Sequence, residues 1–102
     1  MEINQNILRD KMTNGDKMIV KFYTDWCSGC KIMKPIFNNV MNNNHSENIS
    51  YHTINVEENV EIAKELGIKS IPVIKVFNGK EVIDTKVGVL TEDNLIKLKK
   101  TF

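Results

Sequence analysis

Proline and glycine are scarce in this chain, with two prolines and five glycines among 102 residues. That scarcity excludes collagen-like and low-complexity disordered chains. An excess of one charge is missing too. Fourteen basic residues against thirteen acidic ones leave a formal net charge of +1. A balance so even argues against a charge-driven nucleic-acid binder and against a polybasic membrane surface. No apolar run approaches the roughly 20 residues that span a bilayer. Met1 to Asn6 contain neither a basic n-region nor an apolar h-region, so no secretory leader is read there and the expected address is the cytosol. A mature chain whose leader had been removed would read the same. Cysteine is reduced to two residues, Cys27 and Cys30, and alanine to one.

What is present is a globular mixture, 41% hydrophobic and 26% charged. A chain of this length buries roughly two-thirds of its surface, enough for a core without staples. There is no repeat, linker or clear composition shift, so one domain over residues 1–102 is expected. The one biased patch, Asn38-Asn39 and Asn42-Asn43-Asn44, reads as a fraying helix end.

Periodicity sets the elements. Ile3, Ile7, Leu8 and Met12 recur at helical spacing, with Asn4 as the cap. Met18-Ile19-Val20-Lys21-Phe22-Tyr23 is a nearly continuous apolar run, as in a strand covered on both faces. Ile32, Met33, Ile36, Phe37, Val40 and Met41 form one helical stripe, which Cys27-Ser28-Gly29-Cys30 opens and Pro35 should kink. Ile49 to Val56 alternates as a strand. Val60, Ile62, Ala63 and Leu66 make a short helix that Gly67 can end. Pro72 to Phe77 and Glu81 to Val87 read as a hairpin turned at Asn78-Gly79. Thr91 can start a last helix, with Leu95, Ile96 and Leu98 inside it and Lys97, Lys99 and Lys100 at its negative pole. The order α-β-α-β-α-β-β-α predicts an α/β fold, a mixed sheet covered by helices on both faces. Four strands are expected, with room for a short extra one at the N-terminus.

The two cysteines admit three readings. As a staple, a loop of about four residues gains roughly 2 kcal/mol, less than a long loop does, and a reducing compartment keeps such a bond open. As zinc ligands they would need His45 and His52, at spacings close to a finger pattern. If the helix that begins at Cys30 runs through, however, His45 lies roughly 22 Å away, beyond the reach of one metal. The third reading is thiol redox chemistry, suggested by C-x-x-C in a cytosolic chain with a βαβ pattern. Each histidine otherwise reads as a surface or local hydrogen-bonding residue.

Phe22-Tyr23-Thr24-Asp25-Trp26-Cys27-Ser28-Gly29-Cys30-Lys31 resembles the active-site segment of the thioredoxin family, Trp-Cys-x-x-Cys-Lys after a strand. Pro35 lies five residues past the second cysteine, as in that family. Ser70-Ile71-Pro72 resembles its cis-proline loop, and Phe77-Asn78-Gly79-Lys80 with Lys86-Val87-Gly88 resembles its terminal hairpin. Separated motifs in the right order are far more specific than one C-x-x-C. The resemblance covers most of the chain. It implies a thioredoxin fold, thiol–disulfide exchange with client proteins, and recharging by a flavoprotein thioredoxin reductase. No cofactor or metal is expected in the chain itself, which should work as a monomer without nucleic acid or membrane.

On this reading Cys27 at the helix start is the attacking thiol, because unpaired N–H groups and the positive pole favour an anion there. Cys30, a turn inside and more buried, is the resolving thiol. A thiol near pKa 8.5 is only about 3% thiolate at pH 7 and one near 7 is about half, a gain of about fifteenfold. Weaker nucleophilicity takes back about fivefold, so the net gain in rate is about threefold. Trp26 is either a half-buried packing residue or an apolar rim for clients. Pro72 is either a plain strand-entry proline or the cis turn that puts the Ile71 backbone beside Cys27, where an extended client can pair with it. Gly88 completes the candidate binding surface.

Two features depart from the family pattern. Common thioredoxins have a buried aspartate where this chain has Lys21, and Thr53 stands where their partner lysine does. Lys21 either snorkels to solvent or places a partly buried ammonium near the cysteines, where it would stabilise thiolate or act as a base. Ser28-Gly29 replaces the common Gly-Pro pair and is expected to make the couple less reducing. Three functions compete: a general disulfide reductase, an oxidoreductase dedicated to one client or reductase, and an interaction module whose cysteines are incidental.

Overall fold

The computed structural model describes residues 1–43 and 48–101. Its elements are α1 (Gln5–Thr13), β1 (Lys17–Tyr23), α2 (Ser28–Asn42), β2 (Ile49–Asn55), α3 (Val60–Glu65), β3 (Val73–Asn78), β4 (Glu81–Val87) and α4 (Glu92–Lys99), in the order that periodicity predicts. Side-chain caps start three of the helices. Asn4 accepts from the Ile7 amide, Cys27 from that of Cys30 and Thr91 from that of Asn94, each taking an N–H that the first helical turn leaves unpaired.

The sheet order is β2-β1-β3-β4. β1 runs parallel to β2 and antiparallel to β3, and β3 and β4 form an antiparallel hairpin. The predicted extra N-terminal strand amounts to a single parallel bridge from Glu2 to Thr53. The hairpin turns one residue later than expected. Asn78 still pairs with Glu81 and with Lys17, so Gly79 and Lys80 make the turn, with Gly79 at φ +62. A side chain at Gly79 would also meet the Gly15 backbone at 3.0 Å.

β1 alternates between two cores. Met18, Val20 and Phe22 pack with Leu8, Ile54 and Ile62 on one face, while Ile19 packs with Met33, Phe37, Leu95 and Leu98 on the other. The α2 stripe is narrower than read: Met33, Phe37, Val40 and Met41 are buried, but Ile32 is exposed. One residue is a rotation of about 100°, so Ile32 falls beside the stripe that Met33 begins. Among the described residues no helix is long and apolar enough to cross a membrane.

Candidate active site

β1 ends at Tyr23, and Thr24, Asp25 and Trp26 lead from its tip to Cys27. Cys27 is the N-cap of α2: its Sγ accepts the Cys30 N–H at 3.2 Å, and its carbonyl accepts the Lys31 N–H at 3.1 Å. The first sulfur therefore sits where the helix presents unpaired donors. Both cysteines are free thiols. Burial separates them only slightly, with Cys27 8% and Cys30 4% exposed. Their surroundings differ more. Burial and the hydrogen bond to Cys27 push the Cys30 thiol up to about 11, with the Cys27 charge adding to the rise, while a backbone bond at Thr24 and the charge of Lys21 oppose it.

The loop before β3 closes over this helix end. The Ile71–Pro72 bond is cis, and the Ile71 carbonyl oxygen lies 3.8 Å from Cys27 Sγ. Pro72 is buried while Ile71 is half-buried. The Gly88 N–H donates to the Pro72 carbonyl at 2.8 Å, and Gly88 has φ +93, so the end of β4 is tied to the proline loop by a residue in the glycine-favouring region. Gly29 packs beneath. A Cβ there would stand 3.2 Å from Pro72 Cδ and 3.4 Å from a Val89 methyl. The Ser28-Gly29 departure thus puts the smallest residue where the helix meets the proline. Trp26 is 69% exposed rather than half-buried, and it borders a groove of about 400 Å³ shared with Val60, Ile68 and Ile71.

Lys21 lies on the other side of the pair. Its neighbours in register are Thr53 on β2 and Ile74 on β3, and it is 3% exposed. The side chain does not snorkel out. Its Nζ stands 5.1 Å from the Phe37 ring centre and 5.5 Å from that of Tyr23, at cation–π range. Burial lowers its pKa, Cys30 raises it, Lys34 lowers it and Glu2 raises it. A pocket of about 490 Å³ is lined by Lys21, Cys30, Lys34, Thr53 and Glu2 among others. Glu2 is the residue that sequence reasoning missed. Its Oε1 accepts from Tyr23 OH and from Thr53 Oγ1, both at 2.7 Å. Only the register of the Glu2–Thr53 bridge reveals it, and no local motif does.

His52 lines no part of this site. His52 is buried on β2, on the face that Ile54 shares, and burial, then the Lys11 charge, pushes its pKa down to about 4. His45 lies outside the described residues. Among the described residues no three His, Cys, Asp or Glu side chains gather as a metal site would require.

Comparison with known proteins agrees with this geometry. The family profile described as thioredoxin matches residues 2–101. Thioredoxin of Rickettsia bellii is 35% identical over 80 residues, which are 78% of this chain and 75% of that one. Thioredoxin of Mycoplasmoides gallisepticum is 30% identical over 97 residues, 95% of each chain. The crystal structure of Malassezia sympodialis thioredoxin has the same fold, with a TM-score of 0.86 at 22% identity over 97% of this chain and 87% of that one. A cysteine pair at a helix start, facing a cis-proline loop, in a chain this similar to named thioredoxins over nearly its whole length, places the protein in the thioredoxin family of thiol–disulfide oxidoreductases.

Proposed function

We propose that the protein reduces disulfides in client proteins, with Cys27 as the attacking thiol and Cys30 as the resolving thiol. One observation supports this assignment most: Cys27 Sγ holds the N-cap position of α2, with the Cys30 N–H aimed at it and the Ile71 carbonyl 3.8 Å away. A thiolate there accepts the hydrogen bond that the helix start offers, and a client strand can lie along the Ile71 backbone while its disulfide meets the sulfur.

The exchange then balances in two steps. The Cys27 thiolate attacks one client sulfur, forming the mixed disulfide and expelling the other client sulfur as a thiolate, which takes a proton from water. Cys30 loses its proton to water, and its thiolate attacks Cys27 Sγ, forming the Cys27–Cys30 disulfide and releasing the second client thiolate. The client gains two electrons and the protein loses two. Two of the causes that raise the Cys30 thiol, the hydrogen bond to Cys27 and the Cys27 charge, vanish once Cys27 is bonded to a client. The resolving thiol is thus held protonated until its substrate exists. The Lys21 ammonium favours the Cys30 thiolate at that moment.

Trp26, Ile71, Pro72 and Gly88 form the client surface in this reading. A flavoprotein thioredoxin reductase returns the electrons, and the chain works as a monomeric single domain in the cytosol. Insulin reduction with dithiothreitol as electron source tests the activity. The wild type should speed precipitation of the insulin chains and Cys27→Ser should not. A wild type no faster than dithiothreitol alone would contradict the proposal.

A further inference from the structure

The carboxylate that shares a pocket with Cys30 comes from outside the sheet. Two backbone bonds, Ile3 N–H to Thr53 O and Thr53 N–H to Met1 O, both 2.9 Å, fix Glu2 in register with β2. Two hydroxyls then fix its side chain. Tyr23 lies two residues from Lys21 on β1 and shares its face. Thr53 is the register partner of Lys21 on β2. Both donate to Glu2 Oε1 at 2.7 Å, so the carboxylate is held over the strand position that carries the buried lysine. Glu2, Lys21 and Cys30 line one pocket.

The other charges around that pocket give the carboxylate its importance. α2 turns Cys30, Lys31 and Lys34 toward it, the β1–α2 loop supplies Asp25 and β1 supplies Tyr23. The amino group of Met1 lies at the same rim and donates to the Tyr51 carbonyl. Ile74 and Thr53, beside Lys21 in register, carry no charge. Lys21 therefore shares the space with two further lysines, and Glu2 is the acid that protein hydroxyls pin in place. Cys30 raises the Lys21 pKa and Lys21 lowers that of Cys30, so the ammonium and the thiolate favour one another.

We propose that Glu2 is a positioning residue for disulfide exchange: its carboxylate, anchored by Tyr23 and Thr53, keeps the proton of the Lys21–Cys30 pair on Lys21 and so leaves Cys30 as the thiolate. The proposal rests on the assignment of Lys21 to the resolving step. It gives this chain a charge pair in which the cation stands on the strand and the anion on the N-terminal bridge.

Glu2→Gln removes the charge while its amide oxygen can still accept from both hydroxyls, so the bridge persists. The Lys21 ε-carbon is titrated by NMR in the wild type and in Glu2→Gln, and the release of reduced client in a single turnover is followed against pH in both. The expected result is a Lys21 midpoint lower by about half a pH unit in Glu2→Gln, with the alkaline arm of the release profile depressed by up to about threefold. In a Lys21→Met background, Glu2→Gln should change nothing further. An unmoved Lys21 midpoint in Glu2→Gln overturns the role of Glu2 alone, provided that Lys21→Met does alter the profile. A Glu2→Gln effect that is equal at every pH, or that persists in Lys21→Met, overturns it too. A Lys21→Met profile identical to wild type overturns the assignment of Lys21 and the proposal with it.

Discussion

Cys27 does at the start of α2 what serine or aspartate does at other helices: its side chain takes an N–H that the backbone leaves unpaired. That position was legible because C-x-x-C opens a helical stripe. The environment of Cys30 was not, since it depends on Lys21 reaching it across from β1. The reading of Lys21 is tested in a Cys27→Ser background, where Cys30 is the remaining cysteine. Iodoacetamide alkylation against pH should place the Cys30 midpoint higher in Lys21→Met than in its Lys21 parent, by up to about one unit. Equal midpoints would leave Lys21 without a part in the chemistry. Trp26, 69% exposed, has little burial to lose. Trp26→Ala should therefore slow client reduction severalfold with the melting temperature nearly unchanged, and the reverse pattern would return it to a packing role.

At the scale of elements, caps and stripes carried most of the legibility. Asn4, Cys27 and Thr91 stand where residue type and the following apolar pattern predicted helix starts. Thr91→Ala removes the bond to the Asn94 amide and should lower unfolding stability by about 1 kcal/mol in urea denaturation, with client reduction unchanged. No loss would mean that solvent serves that amide equally well. The sequence misled at two points, each for a local reason. Asn78-Gly79 is a strong turn signal, yet pairing of Asn78 with both neighbouring strands moved the turn on by one residue. Ile32 fits a loose i, i+4 count but lies off the buried stripe. It adds to the exposed apolar surface instead of to the core.

For the whole molecule, alternation along β1 decides what faces what. Even-numbered residues from Met18 to Phe22 meet the α1–α3 core, and Ile19 and Lys21 turn to the α2 side. That single parity puts the lysine at the cysteines, which is why the sequence could pose the Lys21 question without answering it. Glu2 stayed hidden because its partners are 21 and 51 positions away in sequence. The buried His52 gives the molecule a pH signature of its own. Its folded pKa of about 4 lies below the ordinary value of 6.5, so between them the unfolded chain binds a proton that the native state refuses. The stability this group contributes is complete above about pH 6.5 and lost as pH falls toward 4, by at most about 3 kcal/mol. Denaturant midpoints measured at about pH 7.5 and about pH 5 should differ more in wild type than in His52→Leu. Equal differences would show that His52 titrates freely.

The division of labour between the two sulfurs is tested most directly by trapping. Cys30→Ser and Cys27→Ser, each mixed with a disulfide-bonded client peptide, are quenched with acid and analysed by mass spectrometry. Cys30→Ser should accumulate a client adduct that peptide mapping places on Cys27, and Cys27→Ser should accumulate almost none. A stable adduct on Cys30 in Cys27→Ser, with none on Cys27 in the other variant, would contradict the account.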